Sequence, residues 1–438
     1  MYLSRKIDQE LLQWKGEKDH KPLLIRGARQ VGKSTTVRNL AAQFDHFLEV
    51  NFESRRQLHA IFEGDLDPKQ ICEQLSLLFN VPVIPGKTLV FFDEIQACIP
   101  AISSLRFFYE QLPQLHVIAA GSLLEFALSE IPSFGVGRIR SMFLYPLSFD
   151  EFLEVIGEHA LLVAKKNANP EKPLSEPVHR KLISLVKRFL ILGGMPEVIS
   201  TYVQQNSLQA CGQVLDDLIT SMKSDFAKYK NRIPYLRIAE VFDSVVRQSG
   251  GKFVYAKAAT QFTSKQTKEA LDLLIMAGLV IPVTHTSANG IPLGAEINPK
   301  QRKMLLLDTG VFQRLQNLNI GDLLLENDFD AINKGSIAEQ FTGLELLKAA
   351  SCYRQEALYF WQREAKGSNA EVDYVIQQGK QIIPVEVKSG TKGSMQSLHL
   401  FMKEKKSKSG IRISLENYSA LENIEIIPLY GVSDLVPA

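Results

Sequence analysis

Lys21-Pro22-Leu23-Leu24-Ile25-Arg26-Gly27-Ala28-Arg29-Gln30-Val31-Gly32-Lys33-Ser34 is the stretch on which the fold turns. The apolar run Leu23-Leu24-Ile25 gives way to a loop that matches GxxxxGK(S/T) and leads into a helical pattern beginning near Lys33. Glycines let backbone amides curl around phosphate oxygens, and the helix N-terminus behind them adds a positive dipole end. Gly27, Ala28, Arg29, Gln30, Val31, Gly32, Lys33, Ser34 and Thr35 are therefore the expected nucleotide-phosphate contacts. Lys33 would neutralise the β- and γ-phosphates, and the Ser34 hydroxyl would ligate Mg²⁺. Such a loop requires a second strand ending in acid, and Leu89-Val90-Phe91-Phe92-Asp93-Glu94 supplies it. Asp93 is expected to hold the Mg²⁺ through its water shell and Glu94 to act as general base on the attacking water. A third apolar run, Val117 to Ala120, ends in Gly121-Ser122, where Ser122 either senses the γ-phosphate or caps the next helix.

Outward from this core, short apolar runs separated by helical patterns predict a parallel α/β sheet over the first part of the chain. The whole chain has 438 residues, so at about 150 residues per domain it is expected to hold several cores. Hydrophobic residues make up 45% and charged residues 22%, which excludes wholesale disorder, a collagen-like repeat or a coiled-coil rod. The formal charge is only +2, so any nucleic-acid contact must come from local patches. Cys72, Cys98, Cys211 and Cys352 lie far apart with no CxxC pair and are expected to be reduced thiols. The N-terminus turns polar too early for a signal peptide. The longest apolar run, Leu273 to Val283, contains Gly278 and Pro282 and falls short of the ~18 residues that suggest a span. A cytoplasmic protein with no membrane partner is the expectation.

Lys165 to Pro177 crowds Lys, Asn, Pro, Glu and Ser and reads as an exposed loop or insertion. Beyond it a mainly helical region leads into a recognisable order. A helix over Leu236 to Arg247 is followed by a short strand at Phe253 to Tyr255 and a second helix from Ser264, its N-cap, to Met276. Strands at Leu279 to Thr284 and Lys303 to Leu307 complete it. Helices followed by a hairpin are the layout of a winged helix-turn-helix, which would place Lys265 and Lys268 near a major groove or serve only as a packing module.

The last part predicts a helix over Ile337 to Ala349, strands at Ala357 to Gln362, Ala370 to Ile376 and Ile382 to Val387, and a helix near Met395 to Met402. Asp373, Glu386 and Lys388 interrupt apolar strands, and Glu386 and Lys388, two apart, share one face. Asp373 and Glu386 would hold Mg²⁺ or Mn²⁺, Lys388 would polarise a phosphate, and Glu339 on the preceding helix would complete the ligand set. Lys403, Lys405, Lys406, Lys408 and Arg412 either track a phosphate backbone or form a solvated face.

The Lys21 to Ser34 run, Asp93-Glu94-Ile95-Gln96, Tyr145-Pro146-Leu147-Ser148-Phe149-Asp150-Glu151-Phe152 and Gly193-Gly194-Met195-Pro196-Glu197 resemble a widespread prokaryotic family of AAA-type ATPases that carry a C-terminal domain of unknown function. That resemblance implies binding and hydrolysis of ATP with Mg²⁺, and assembly of a homo-oligomeric ring. It also implies an arginine from a neighbouring subunit, for which Arg138 and, less well, Arg140 are placed. The C-terminal constellation resembles the PD-(D/E)XK nuclease superfamily. Glu339 matches the helix acid, Asp373 the first strand acid and Glu386-Val387-Lys388 the ExK element, although no Pro precedes Asp373.

The expected protein is thus a multidomain α/β chain with four parts. These are an AAA-type P-loop ATPase domain (residues 1–160), a helical lid or linker (161–230), a winged-helix-like domain (231–318) and a PD-(D/E)XK nuclease-like module (319–438). Two functions fit: an ATP-driven enzyme acting on DNA rather than RNA, with Glu94, Arg138, Glu339, Asp373, Glu386 and Lys388 catalytic, or a remodelling ATPase whose nuclease-like module is an inactive platform.

Overall fold

The computed structural model describes residues 1–131, 137–229, 233–258, 261–316, 334–364, 370–388 and 395–436. The chain divides into two compact units. One comprises Met1–Tyr145 with Cys352–Gln355, and the other Pro146–Ser351 with Glu356–Ala438.

The first unit is built on a parallel sheet of β1 (Leu23–Arg26), β2 (His46–Asn51), β3 (Thr88–Asp93), β4 (His116–Ala120) and β5 (Arg140–Phe143), in the order β2-β3-β4-β1-β5. β3 and β4 are buried along their whole length, which is why they read as unbroken apolar runs. The edge strands β2 and β5 are only half buried and carry His46, Glu49, Asn51, Arg140 and Ser141, so no apolar run announced them. Phe52, Phe62, Phe92 and Phe108 pack edge to face at 5.3–5.8 Å between ring centres and fill one side of the sheet. Phe143 on the β5 edge donates its N–H to the Cys352 carbonyl at 2.7 Å, tying the returning segment into this unit.

The second unit opens with helices Phe149–Val155, His159–Lys166, Glu176–Leu192, Pro196–Gln205 and Leu208–Asp225. The expected domain limit at 160/161 falls inside the second of these, and the limits at 230/231 and 318/319 lie outside the described residues. Lys165 is fully buried between Asp150 and Asp434 at 2.9 and 2.8 Å, so the exposed segment starts only after this helix. Helices Tyr235–Arg247 and Ser264–Met276 then precede the antiparallel pair β6 (Val280–Thr286) and β7 (Ile297–Leu306).

Three details differ from expectation. Thr263, not Ser264, caps the second helix, exchanging hydrogen bonds with Gln266 in a capping box. Phe253 donates one backbone bond to the distant Arg302 carbonyl beside an isolated bridge between Lys252 and Lys303, and Tyr255–Ala258 is a helical turn, so the predicted strand forms no ladder. The hairpin is no free wing: β6 also pairs in parallel with β8 (Leu358–Gln362), which continues to β9 (Glu371–Val372).

The remaining sheet has the order β10-β11-β12-β14-β13, formed by β10 (Tyr374–Gln378), β11 (Gln381–Val387), β12 (Gly410–Ser414), β13 (Ser419–Leu421) and β14 (Ile424–Pro428). The turn at Gly379-Lys380 pairs Tyr374 with Val385 and Gln378 with Gln381. Arg412 lies buried on β12, 3.8 Å from Glu416, and so is not part of any exposed basic run. Cys72, Cys98 and Cys211 are buried free thiols and Cys352 is a half-buried one. No helix among the described residues is long and apolar enough to cross a membrane.

In the first unit His116 on β4 stacks on His20 at 3.9 Å and meets Trp14 edge-on. Burial pushes the His116 imidazole down to about 4, with His20 and Lys15 acting in the same sense and the Lys15 carbonyl opposing. Between that value and the ordinary 6.5 the unfolded chain takes up a proton that the folded chain does not. Stability is therefore complete above pH 6.5 and falls as acid is added through this window. His116→Phe, which keeps the ring contacts, should flatten the drop in Tm between pH 7 and about 4. Superimposable pH profiles for the two chains would show that His116 contributes nothing to it.

Candidate functional site

The expected phosphate loop joins β1 to helix Lys33–Ala41. Gly27 has φ +145°, and a Cβ there would lie 2.2 Å from the Leu144 carbonyl oxygen, so only glycine permits this approach. Val31 is fully buried, and its carbonyl is held by the Arg5 guanidinium at 3.1 Å. Gln30 and Thr35 face outward, Gln30 with φ +62°. Lys33 is buried, its ammonium donating to the carbonyls of Gly27 at 2.9 Å and Ala28 at 2.7 Å. Burial pushes this amine down to about 8, against the pull of Glu94 and Asp93 and with help from Arg29.

The acid strand arrives as expected. Asp93 Oδ1 accepts the Ser34 hydroxyl at 2.9 Å, and Oδ2 accepts the Asn51 side-chain amide at 3.2 Å. Burial raises the Asp93 carboxyl, and the Ser34 hydrogen bond opposes that rise. Glu94 turns the chain with φ +48°. Its Oε2 accepts Gln96 Nε2 at 2.5 Å and the Ser122 hydroxyl at 3.2 Å, while Ser122 accepts Arg29 Nε at 3.1 Å. Ser122 is thus no helix cap: the next helix starts behind Leu123 without a side-chain cap. Arg138 is half-exposed and ion-paired with Glu110, and Arg140 is paired with Glu17 at 2.8 Å. Sequence reasoning missed Arg5, Asn51 and the Glu94 contact of Gln96. Only Gln96 had a signal, its place two residues past a predicted general base.

The C-terminal constellation also assembles, around a residue not foreseen. Lys303 on β7 reaches Glu339 Oε1 at 2.8 Å, Glu371 Oε1 at 2.5 Å and Asp373 Oδ1 at 3.4 Å. Asp373 Oδ2 accepts the Val387 N–H at 2.8 Å, and Lys388 binds Glu386 Oε1 at 2.6 Å. Burial would strip Lys303 of its proton, but Glu339, Asp373 and Glu371 together outweigh burial and raise its pKa above the lysine range. Burial also raises the carboxyl of Glu386, reinforced by Asp373 and opposed by Lys388.

A divalent metal needs carboxylate oxygens free to face it, and here one ammonium lies against Oε1 of Glu339, Oε1 of Glu371 and Oδ1 of Asp373, while the Val387 N–H holds the other oxygen of Asp373. Among the described residues no group of three or more His, Cys, Asp or Glu is disposed to hold a metal ion. The expected metal pair Asp373 and Glu386 therefore does not fit Mg²⁺ or Mn²⁺ as it stands.

Residues 19–153 match the family model described as an AAA domain. Residues 183–322 match a domain of unknown function, DUF8612, and residues 334–432 another, DUF4143. No curated protein matches the chain. Similar solved structures include the Walker-type ATPase PABY2304 of Pyrococcus abyssi, with TM-score 0.47 and 15% identity over 72% of this chain and 96% of that one. They also include the Aeropyrum pernix ORC1 protein in complex with DNA, with TM-score 0.30 and 14% identity over 74% and 95%. Unliganded Pif1 from Bacteroides sp. gives TM-score 0.23 and 14% identity over 39% and 48%. Residues 19–153 are thus an AAA domain with its phosphate loop and acid strand in place.

Gly27→Ala should destabilise this unit by about 2 kcal/mol or more, because the added carbon meets backbone in a left-handed conformation. It should also abolish binding of a fluorescent ATP analogue. Unchanged Tm and affinity would mean that the loop does not depend on its approach to Leu144.

Proposed function

We propose that the N-terminal unit binds and hydrolyses ATP in complex with Mg²⁺. The observation that carries this is the 2.9 Å contact between Ser34 and Asp93, which joins the phosphate loop to the acid strand. Both side chains suit a hard cation, and Mg²⁺ bound by Ser34 and the water shell of Asp93 would neutralise charge on the β- and γ-phosphates. Lys33 exchanges the carbonyls of Gly27 and Ala28 for phosphate oxygens. Glu94 orients the attacking water and takes its proton, while Gln96 and Ser122 hold the carboxylate in place.

Two further parts belong to the proposal. A second copy of the chain supplies Arg138 to the γ-phosphate, in a ring, and the half-exposed position of that side chain supports it. DNA is taken as the partner of helix Ser264–Met276, supported by the exposure of Lys265 and Lys268, although Lys268 lies 3.7 Å from Asp272 and a phosphate would have to displace that pair. Phosphodiester cleavage by Asp373, Glu386 and Lys388 is not proposed, since their surroundings do not fit the metal it requires.

Lys33→Ala should lose ATP binding and turnover together, whereas Glu94→Gln should keep binding and lose about 10²-fold or more in kcat. Calorimetric titration beside a phosphate-release assay separates the two, and wild-type turnover by Glu94→Gln would remove Glu94 as the base. Gln96→Ala should lower kcat several-fold at unchanged ATP affinity, because the amide that holds the Glu94 carboxylate in place is removed. An unchanged kcat would show that Gln96 does not position the base.

A further inference from the structure

Lys303 gathers carboxylates from separate parts of the second unit. Glu339 comes from helix Lys334–Ala349, Glu371 from β9 and Asp373 from the break between β9 and β10. Its side chain is only 2% exposed, and the ring of Phe360 covers it at 5.4 Å. Carboxylates converging from distant parts of the chain repel one another, and a set kept ionised away from water needs a cation among them. Metal centres meet that need with a divalent ion, and here the amine of Lys303 on β7 meets it. An ammonium and a metal ion cannot share the point that these oxygens face. Glu386 Oε2, buried and without a hydrogen-bond partner, is a donor atom that such an ion could use and that Lys303 leaves unengaged.

We propose that Lys303 is a built-in cation occupying the place at which this carboxylate set would otherwise bind a divalent metal, which makes the cluster a metal-independent ionic node. The inference is independent of ATP hydrolysis and concerns the second unit alone.

Mn²⁺ titration of the nucleotide-free full chain, followed by the loss of the free-ion EPR signal, tests it. The wild type and Asp373→Asn should take up the same amount of Mn²⁺. Lys303→Ala should take up one further ion per chain, and Glu371→Gln with Asp373→Asn in that background should remove it. The Tm of Lys303→Ala should lie below the wild type in chelator and recover with Mn²⁺, while the wild type shows no such recovery. Lys303→Gln fills more of the space without charge and provides the second variant if Lys303→Ala does not fold. Uptake by the wild type that Asp373→Asn abolishes would overturn the proposal, because the metal would then displace Lys303. A folded Lys303→Ala or Lys303→Gln chain that gains no ion would overturn it too. If neither variant folds, the wild type and Asp373→Asn comparison decides.

Discussion

The buried ammonium of Lys33 is the constraint around which the N-terminal unit is arranged. A cation removed from water needs acceptors, and the ones within reach are the carbonyls of Gly27 and Ala28. To present them the loop must curl back on itself, which brings the Gly27 backbone against the Leu144 carbonyl. That approach works only because β5 lies beside β1 in a fixed register, with Arg26 opposite Phe143 and the Leu144 N–H bonded to the Arg26 carbonyl at 2.9 Å. The weakly apolar edge strand therefore helps to position the phosphate loop through its backbone.

The second unit is organised by a buried carboxylate in the same way. Asp308 is fully buried, accepts the Gly194 N–H at 2.6 Å and the Val311 N–H at 3.0 Å, and has its carboxyl raised by burial. Gly194 in turn offers its carbonyl to the Leu147 N–H at 2.7 Å, and a Cβ on Gly194 would meet the Leu147 oxygen at 2.1 Å. Leu147 of the motif Tyr145 to Phe152 and Gly194 of the motif Gly193 to Glu197 thus meet directly, and Gly194 carries the contact on to Asp308.

What was legible in the sequence follows from how each element is buried. β1, β3 and β4 lie in the middle of their sheet and announced themselves as apolar runs, whereas β2 and β5, with one edge each toward solvent, did not. The outer half of β7, Ile297 to Arg302, is polar and exposed, so the strand seemed to begin only near Lys303. The phosphate loop could be read residue by residue because its contacts are local and its spacing is set by backbone geometry. The carboxylate cluster could be read only in part. Glu339, Asp373, Glu386 and Lys388 stood out as polar residues in apolar surroundings, but the partner that decides their chemistry comes from a strand 70 residues before Asp373. Nothing in the local pattern around Lys303 marks it as buried; a lysine at the inner end of an amphipathic hairpin reads as one more solvated charge.

Lys33 and Lys303 together show how the same side chain marks opposite kinds of site. Both are almost wholly removed from solvent. At Lys33 the compensation is incomplete: two neutral carbonyls hold the ammonium, the carboxylates of Asp93 and Glu94 are engaged with Ser34 and Gln96, and burial wins, pulling the amine down to about 8. A cation left short of negative charge is stabilised by an incoming anion, and a phosphate supplies what the fold withholds. At Lys303 three carboxylates exceed what one ammonium requires, and its proton is held more firmly than in water. That cation gains nothing from a phosphate and would lose its partners to a metal. The balance of charge around each buried lysine, rather than the presence of the lysine, separates a pocket that awaits a ligand from one that the chain has already filled.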